Sequence, residues 1–391
     1  MKRNIKIIPI EKEGNSTVIA LMTKVGSRHE SPEIKGISHF VEHMCFKGTK
    51  KRTCNELAKA IEQYGGQLNA FTDWELTCYW AKISNQYTEK ALDVILDLVT
   101  HPIFPVKEID KEREVIIQEL KMYEDDAKTY VTEVFNKTLY RPESNFYLPI
   151  IGTRESLYNI DRNTILNYYN HTYKNPTLVI IGDIKNKISL EKSYDIKPIC
   201  FELATYIDKT LIKRNNITQA NILIGNLVHL SLDTWKKIDQ FFCLFLLDAL
   251  YGDMSGRLFN SVREENHLVY RIRFGWEYYS NGSIQWDVSA GLNTNKIDKA
   301  RDLVIKELTK PISKKDLEII LNKTIGTLEM QLDNIYNLGT TTAYSLIQGI
   351  DYNEIISNYK NNLKRVSKLV NNFIEEMNFH KNVLVGVIPK K

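Results

Sequence analysis

Two histidines and a glutamate share one short stretch, His39-Phe40-Val41-Glu42-His43. Wound into a helix at about 100° per residue, His39, Glu42 and His43 fall within about 100° of one another. Ile37, Phe40, Val41 and Met44 gather on the other side, centred about 150° away. One face can therefore pack on a sheet while the other presents two imidazoles and a carboxylate. Histidines four residues apart can grip a single Zn2+ ion. The intervening carboxylate then stands beside the ion's open position, where a base is useful.

A third ligand is needed. The helical pattern Glu108–Glu124, just after Pro105, offers Glu112 and Glu119. Seven residues apart, they share a face but lie roughly 10 Å apart along the helix axis. Both can hardly reach one ion, so one is a ligand and the other a group that orients the site from behind. Spacing alone does not choose between them, and a single Glu here would otherwise read as a solvated helix face.

The order H-x-x-E-H is the inverted form of a zinc-protease motif. Gly36-Ile37-Ser38 precedes it and Met44-Cys45-Phe46-Lys47-Gly48-Thr49 follows. With these residues the chain resembles the pitrilysin/insulysin family of zinc peptidases, the inverzincins, and within it the small bacterial and mitochondrial-processing-peptidase-like members. The likeness runs from the first strand to the last. In that family a Glu at about the distance of Glu119 from His43 is the third ligand, with another Glu seven residues before it. The resemblance thus implies one Zn2+ per chain on His39, His43 and Glu119, with Glu112 as the supporting carboxylate and Glu42 as general base.

Two further stretches acquire roles only through that resemblance. Read alone, Gly65-Gly66 ends a short helix (about Asn55–Tyr64), and a strand follows. The resemblance makes Asn69-Ala70-Phe71-Thr72 an edge strand near the zinc, on which a peptide pairs as an added strand through Asn69 and Ala70. Arg263 and Tyr270, also seven apart, say little by themselves. They match the family's Arg/Tyr pair, which approaches the scissile carbonyl and steadies the oxyanion. His267 stands where relatives usually carry Gly before Leu-x-Tyr, a departure that bears on the local loop geometry.

The elements that must position these residues repeat themselves. Glu89-Lys90-Ala91-Leu92-Asp93-Val94-Ile95 resembles Asp298-Lys299-Ala300-Arg301-Asp302-Leu303-Val304, and at the same offset His101-Pro102-Ile103 resembles Lys310-Pro311-Ile312. Each stretch follows an alternating strand (Leu76–Ile83, Ser283–Gly291) and leads into a long helical pattern (Glu108–Glu124, Lys314–Leu332). Each half closes on an apolar strand, Thr177–Ile181 or Asn382–Val387. The expected fold class is α+β: two similar domains, each an antiparallel sheet with helices packed on one face. The expected division is a zinc-binding catalytic domain over 1–190, a polar linker region over 191–216, and a second domain over 217–391 carrying the Arg/Tyr pair. At the repeat offset His39, Glu42 and His43 meet Asp248, Tyr251 and Gly252, so only the first half should bind zinc.

Composition bounds the partners. The 391 residues are 43% hydrophobic and 26% charged, with 52 Lys and Arg against 48 Asp and Glu. A globular chain of two domains or more fits, and disorder does not. The small, dispersed basic excess argues against nucleic acid. No apolar run approaches the ~18 residues of a membrane span. Met1–Ile10 alternates like a strand and has no signal-peptide core. Cys45, Cys54, Cys78, Cys200 and Cys243 form neither a disulfide framework nor a thiolate metal site, so a cytoplasmic setting with inert thiols is expected. The resemblance implies a zinc endopeptidase for short or unfolded peptides inside an enclosed chamber. It also implies a homodimer whose Arg263 and Tyr270 complete the partner's site, or else a heterodimer with a related chain. The competing reading is a catalytically silent structural or peptide-binding subunit of the same superfamily.

Overall fold

The computed structural model describes residues 5–183, 208–360 and 362–390. The first half runs β1 (Lys6–Glu11), β2 (Ser16–Thr23), α1 (Ile37–Cys45), α2 (Cys54–Glu62), β3 (Gln67–Thr72), β4 (Thr77–Ser84) and α3 (Thr88–Thr100). It continues through α4 (Val106–Asp125), α5 (Ala127–Leu139), α6 (Arg154–Tyr158) and α7 (Arg162–Thr172) to β5 (Thr177–Gly182). The second half opens with β6 (Lys209–Arg214), β7 (Ala220–His229), α8 (Lys237–Tyr251), a π-helical segment (Phe259–Glu265), β8 (Val269–Tyr278) and β9 (Ser283–Leu292). It closes with α9 (Ile297–Thr309), α10 (Lys314–Asp333), α11 (Ile335–Gln348), α12 (Tyr352–Tyr359), α13 (Leu363–Met377) and β10 (Val383–Pro389). The sheets have the strand orders β1-β5-β2-β4-β3 and β6-β10-β7-β9-β8. The second order is the first moved along by five strands, so the repeat seen in a few residue identities extends to the whole topology.

The expected α+β class, with two similar sheet-and-helix units, is what the chain forms. Three details differ from expectation. One is that helices cover both faces of the first sheet and not one face alone. Each sheet is mixed: β1 pairs parallel with β5, and β6 with β10, while the other neighbours are antiparallel. Lys209–Arg214, inside the stretch read as linker, is the edge strand β6; residues 191–207 of that stretch, with Cys200, lie outside the described residues. Among the described cysteines, Cys45, Cys78 and Cys243 are buried and Cys54 is exposed, all as free thiols.

The compact units do not follow the halves of the sequence. The described residues of the first unit fall in 5–122, 148–183 and 331–347; those of the second fall in 123–147, 208–330 and 348–390. Each unit thus borrows one helix from the other half of the chain, α11 for the first and α5 for the second. The period-2 alternation of the strands explains why the first sheet needs it. Ile19, Leu21, Tyr79, Ala81, Leu178 and Ile180 face the helices α1 to α4 and α7. Val18, Ala20, Met22, Cys78, Trp80, Val179 and Ile181 point the other way, where Ala343 and Ile347 of α11 cover them. The second sheet carries α5 against β7 and β10 in the same manner. Helices on one face only would have left an apolar sheet face in water.

Candidate metal centre

Helix α1 has only nine residues. A helix this short is marginal by itself, so tertiary packing and its cap must hold it. Ile37, Phe40, Val41 and Met44, the expected inner face, are all fully buried, and Cys45 joins them. Each such side chain contributes about 1.5–3 kcal/mol on burial. The N-terminus is held by a residue without a motif to announce it. The buried Glu30 carboxylate accepts the Gly36 N–H at 2.9 Å and the Ser38 N–H at 2.7 Å. That satisfies two of the helix's unpaired donors with a negative charge at the favourable end of its dipole. Burial pushes the Glu30 carboxyl up, and Lys35 pulls against it from 3.6 Å. Gly36 itself has φ +93°, and a Cβ there would come within 2.4 Å of the Ile151 carbonyl oxygen. Only glycine fits.

From this anchored helix His39 and His43 point their Nε2 atoms together, 3.2 Å apart. Glu119 of α4 brings Oε2 to 3.8 Å from His39 Nε2 and 3.7 Å from His43 Nε2. Among the described residues, these three form the group of side chains able to hold a metal ion. Tetrahedral Zn2+ with N and O donors at about 2.0–2.1 Å needs those donors about 3.3–3.4 Å apart. The triangle of His39, His43 and Glu119 is within half an ångström of that spacing. Two imidazole nitrogens this close can share only one proton, so at least one lone pair points into the common space. Burial, reinforced by His43, holds the His39 imidazole down at about 3, in the neutral form a metal ligand requires. The residues fit the ion.

The two glutamates of α4 separate as helix geometry demands. Glu112 does not meet the Nε2 atoms; its Oε1 lies 2.9 Å from the opposite nitrogen of His43, Nδ1. Lys47, two residues beyond α1, holds the other Glu112 oxygen at 2.5 Å. Burial would raise the Glu112 carboxyl, but the bonds to His43 and Lys47 outweigh it and hold it below its ordinary range. Burial likewise works against charge on His43, and Glu112, with the charges of Glu42 and Glu119, reverses the direction to upward. A carboxylate on the far nitrogen fixes a ligating ring's tautomer and orientation. Glu42 is only 8% exposed, and its Oε2 accepts the Thr72 hydroxyl at 2.5 Å. Burial raises its carboxyl to about 7, against the pull of Thr72 and His43. A group poised near neutrality suits proton transfer.

Thr72 ends β3, the edge strand of the first sheet, and among the described residues β3 pairs only with β4. Asn69 is exposed on that edge, and its Oδ1 accepts the N–H of Ala70 at 2.8 Å. Arg263 and Tyr270 belong to the second unit, in the π-helical segment and on β8. Arg263 lies 4.5 Å from the Phe259 ring centre. The register of β8 on β9 shifts between Val269 and Arg271, so Tyr270 is the extra residue of a bulge, 45% exposed. Its ring lies over Gly291, where a Cβ would meet the ring at 2.4 Å. His267 adopts φ +49°, the left-handed region that favours glycine, which is the physical meaning of the departure noted in the sequence. Sequence reasoning missed Glu30 and Lys47 and gave Thr72 no role. Lys47 sits four residues past His43, a spacing that could have drawn notice, but no signal marks Glu30.

Fold and sequence together define the class. Residues 7–153 match the insulinase family, peptidase family M16, and residues 159–323 match the peptidase M16 inactive domain. The chain belongs to peptidase family M16. It is 33% identical to YmxG of Bacillus subtilis (strain 168), described as an uncharacterized zinc protease, over 84% of this chain and 83% of that protein. The mitochondrial-processing peptidase subunit beta of Mus musculus is 34% identical over 44% of this chain and 35% of that one. In structure, a protease from Helicobacter pylori superposes with a TM-score of 0.82 at 18% identity, covering 98% of this chain and 96% of the other. The inactive-domain match falls largely on the half that lacks the histidine motif. No helix among the described residues is long and apolar enough to cross a membrane.

Proposed function

We propose that this protein is a zinc-dependent endopeptidase that hydrolyses short or unfolded peptides. The observation that carries the reading is the meeting of His39, His43 and Glu119 donor atoms with Glu42 alongside on the same helix face. Those three side chains would hold one Zn2+, with Glu112 fixing His43 from behind. A bound Zn2+ supplies a Lewis acid that polarises the scissile carbonyl and makes water acidic enough to attack near neutral pH. Glu42 takes the proton of the attacking water and passes it to the departing amine. A peptide adds to the β3 edge at Asn69 and Ala70, where backbone pairing tolerates varied side chains. Arg263 and Tyr270 donate to the oxyanion.

The division of labour follows the sequence halves: 1–190 carries the metal and peptide edge, and 217–391 carries the Arg/Tyr pair. The family resemblance supports a dimer enclosing a chamber, with Arg263 and Tyr270 acting on the partner's metal site. The buried thiols fit a cytoplasmic location, which cell fractionation would test. The intact donor set weighs against a catalytically silent subunit. A fluorogenic peptide assay on the metal-loaded protein, with and without chelator, tests the central claim. Glu42→Gln should keep zinc and peptide binding and lose cleavage. Chelator-insensitive cleavage, or normal turnover by the Gln variant, would refute it.

A further inference from the structure

We infer that Thr72 is the positioning residue of the general base: its hydroxyl occupies one oxygen of Glu42 and leaves the other, Oε1, to take the proton. The inference deepens the proposed peptidase reading and rests on it. An ionised carboxylate can only accept, so in the 2.5 Å contact the Thr72 O–H donates to Glu42 Oε2. With Oε2 engaged and the side chain almost wholly buried, the carboxylate cannot spin to present either oxygen at random. One O–H bond of the attacking water breaks towards Oε1. The electron pair left on oxygen forms the new bond to the scissile carbon as the carbonyl π pair moves onto the carbonyl oxygen. That pair returns to re-form the C=O when the carbon–nitrogen bond breaks. The proton on Oε1 then goes to the departing nitrogen as its bond to carbon breaks.

Thr72 is itself held firmly. It is the last residue of β3 and faces Thr77 across the sheet. The next residue, Asp73, bonds through its N–H to the Leu76 carbonyl at 2.8 Å. The Asp73 carbonyl accepts the Ser27 N–H at 3.0 Å, and its carboxylate accepts the Tyr344 hydroxyl at 2.6 Å. The hydroxyl that aims Glu42 is therefore fixed to the strand carrying Asn69 and Ala70. Base and peptide edge share one rigid reference, which is what a near-attack geometry requires.

The test compares Thr72→Val, which removes the hydroxyl and keeps the β-branched shape, with Thr72→Ser, which keeps the hydroxyl. Each full-length zinc-loaded protein is read for kcat and KM on a fluorogenic peptide, zinc affinity and thermal midpoint. The Val variant should lose about 10-fold or more in kcat, a part of the ~10²–10⁴ that a positioned base supplies. KM and zinc affinity should stay within about twofold, and Ser should restore kcat to within about threefold. Thr72→Ala, judged by the same readouts, replaces the Val variant if that protein fails to fold. Wild-type kcat without the hydroxyl overturns the inference, as does a kcat loss that Ser leaves unrepaired or that zinc affinity follows in proportion. A wild-type protein that cleaves no peptide overturns the proposed function instead, and the inference with it.

Discussion

Glu112 and Glu119 lie on one face of α4 and carry the same chemistry, yet their removal should have unequal consequences for zinc. Glu112 touches only the far nitrogen of His43, at 2.9 Å, and its other oxygen holds Lys47 at 2.5 Å. Its side chain is 6% exposed, so water cannot readily replace it. Glu112→Ala leaves the His43 ring free to turn and the ammonium without its partner. Outer groups of this kind cost 10- to 100-fold in metal affinity when removed, about 1.4–2.7 kcal/mol. Glu112→Gln keeps an acceptor for Nδ1 and should fall at the lower end. Glu119→Ala deletes one of three protein donors and should exceed ~100-fold, beyond the range of an outer-group loss. The assay is zinc competition against a chromophoric chelator at neutral pH, with the apo-protein's thermal midpoint as the control for folding. Equal losses in the two variants, or a larger loss for Glu112, would refute the assignment of Glu119 as ligand.

Two further outcomes are expected. Burial raises the Asp287 carboxyl on β9 to about 6, with Arg273 pulling against it. The folded state therefore holds that proton more tightly than the unfolded chain. The stabilising term is fully present below about pH 4 and lost as pH rises through about 6, so Asp287→Asn should gain up to about 3 kcal/mol at pH 8 and little at pH 4. Urea unfolding at the two pH values checks it, and an equal gain at both would contradict the burial argument. For the dimer, mixing a Glu42→Gln protein with an Arg263→Ala/Tyr270→Phe protein should restore part of the peptidase activity after subunit exchange. Activity that stays at the level of the separate variants counts against completion in trans.

The sequence determined a good deal by itself, because local periodicity and spacing obey geometry that needs no tertiary context. The turn of a helix places His39, Glu42 and His43 together and Phe40, Val41 and Met44 opposite, as α1 has them. Period-2 patterns located β4 and β9, and apolar runs β5 and β10, to within a residue or two, and the repeat foretold one topology used twice. Helix rise also separated Glu112 from Glu119, though it could not say which meets the imidazoles.

Folding decided what depends on contacts between distant segments. Glu30 capping α1, Lys47 closing on Glu112 and Thr72 holding Glu42 all join residues whose meeting no spacing rule encodes. The parallel pairing of β1 with β5, and of β6 with β10, joins the ends of each half. The exchange of α5 and α11 between units follows from a demand no single helix carries in its own pattern. Each sheet is apolar on both faces, and the helix that covers the second face comes from the other half of the chain.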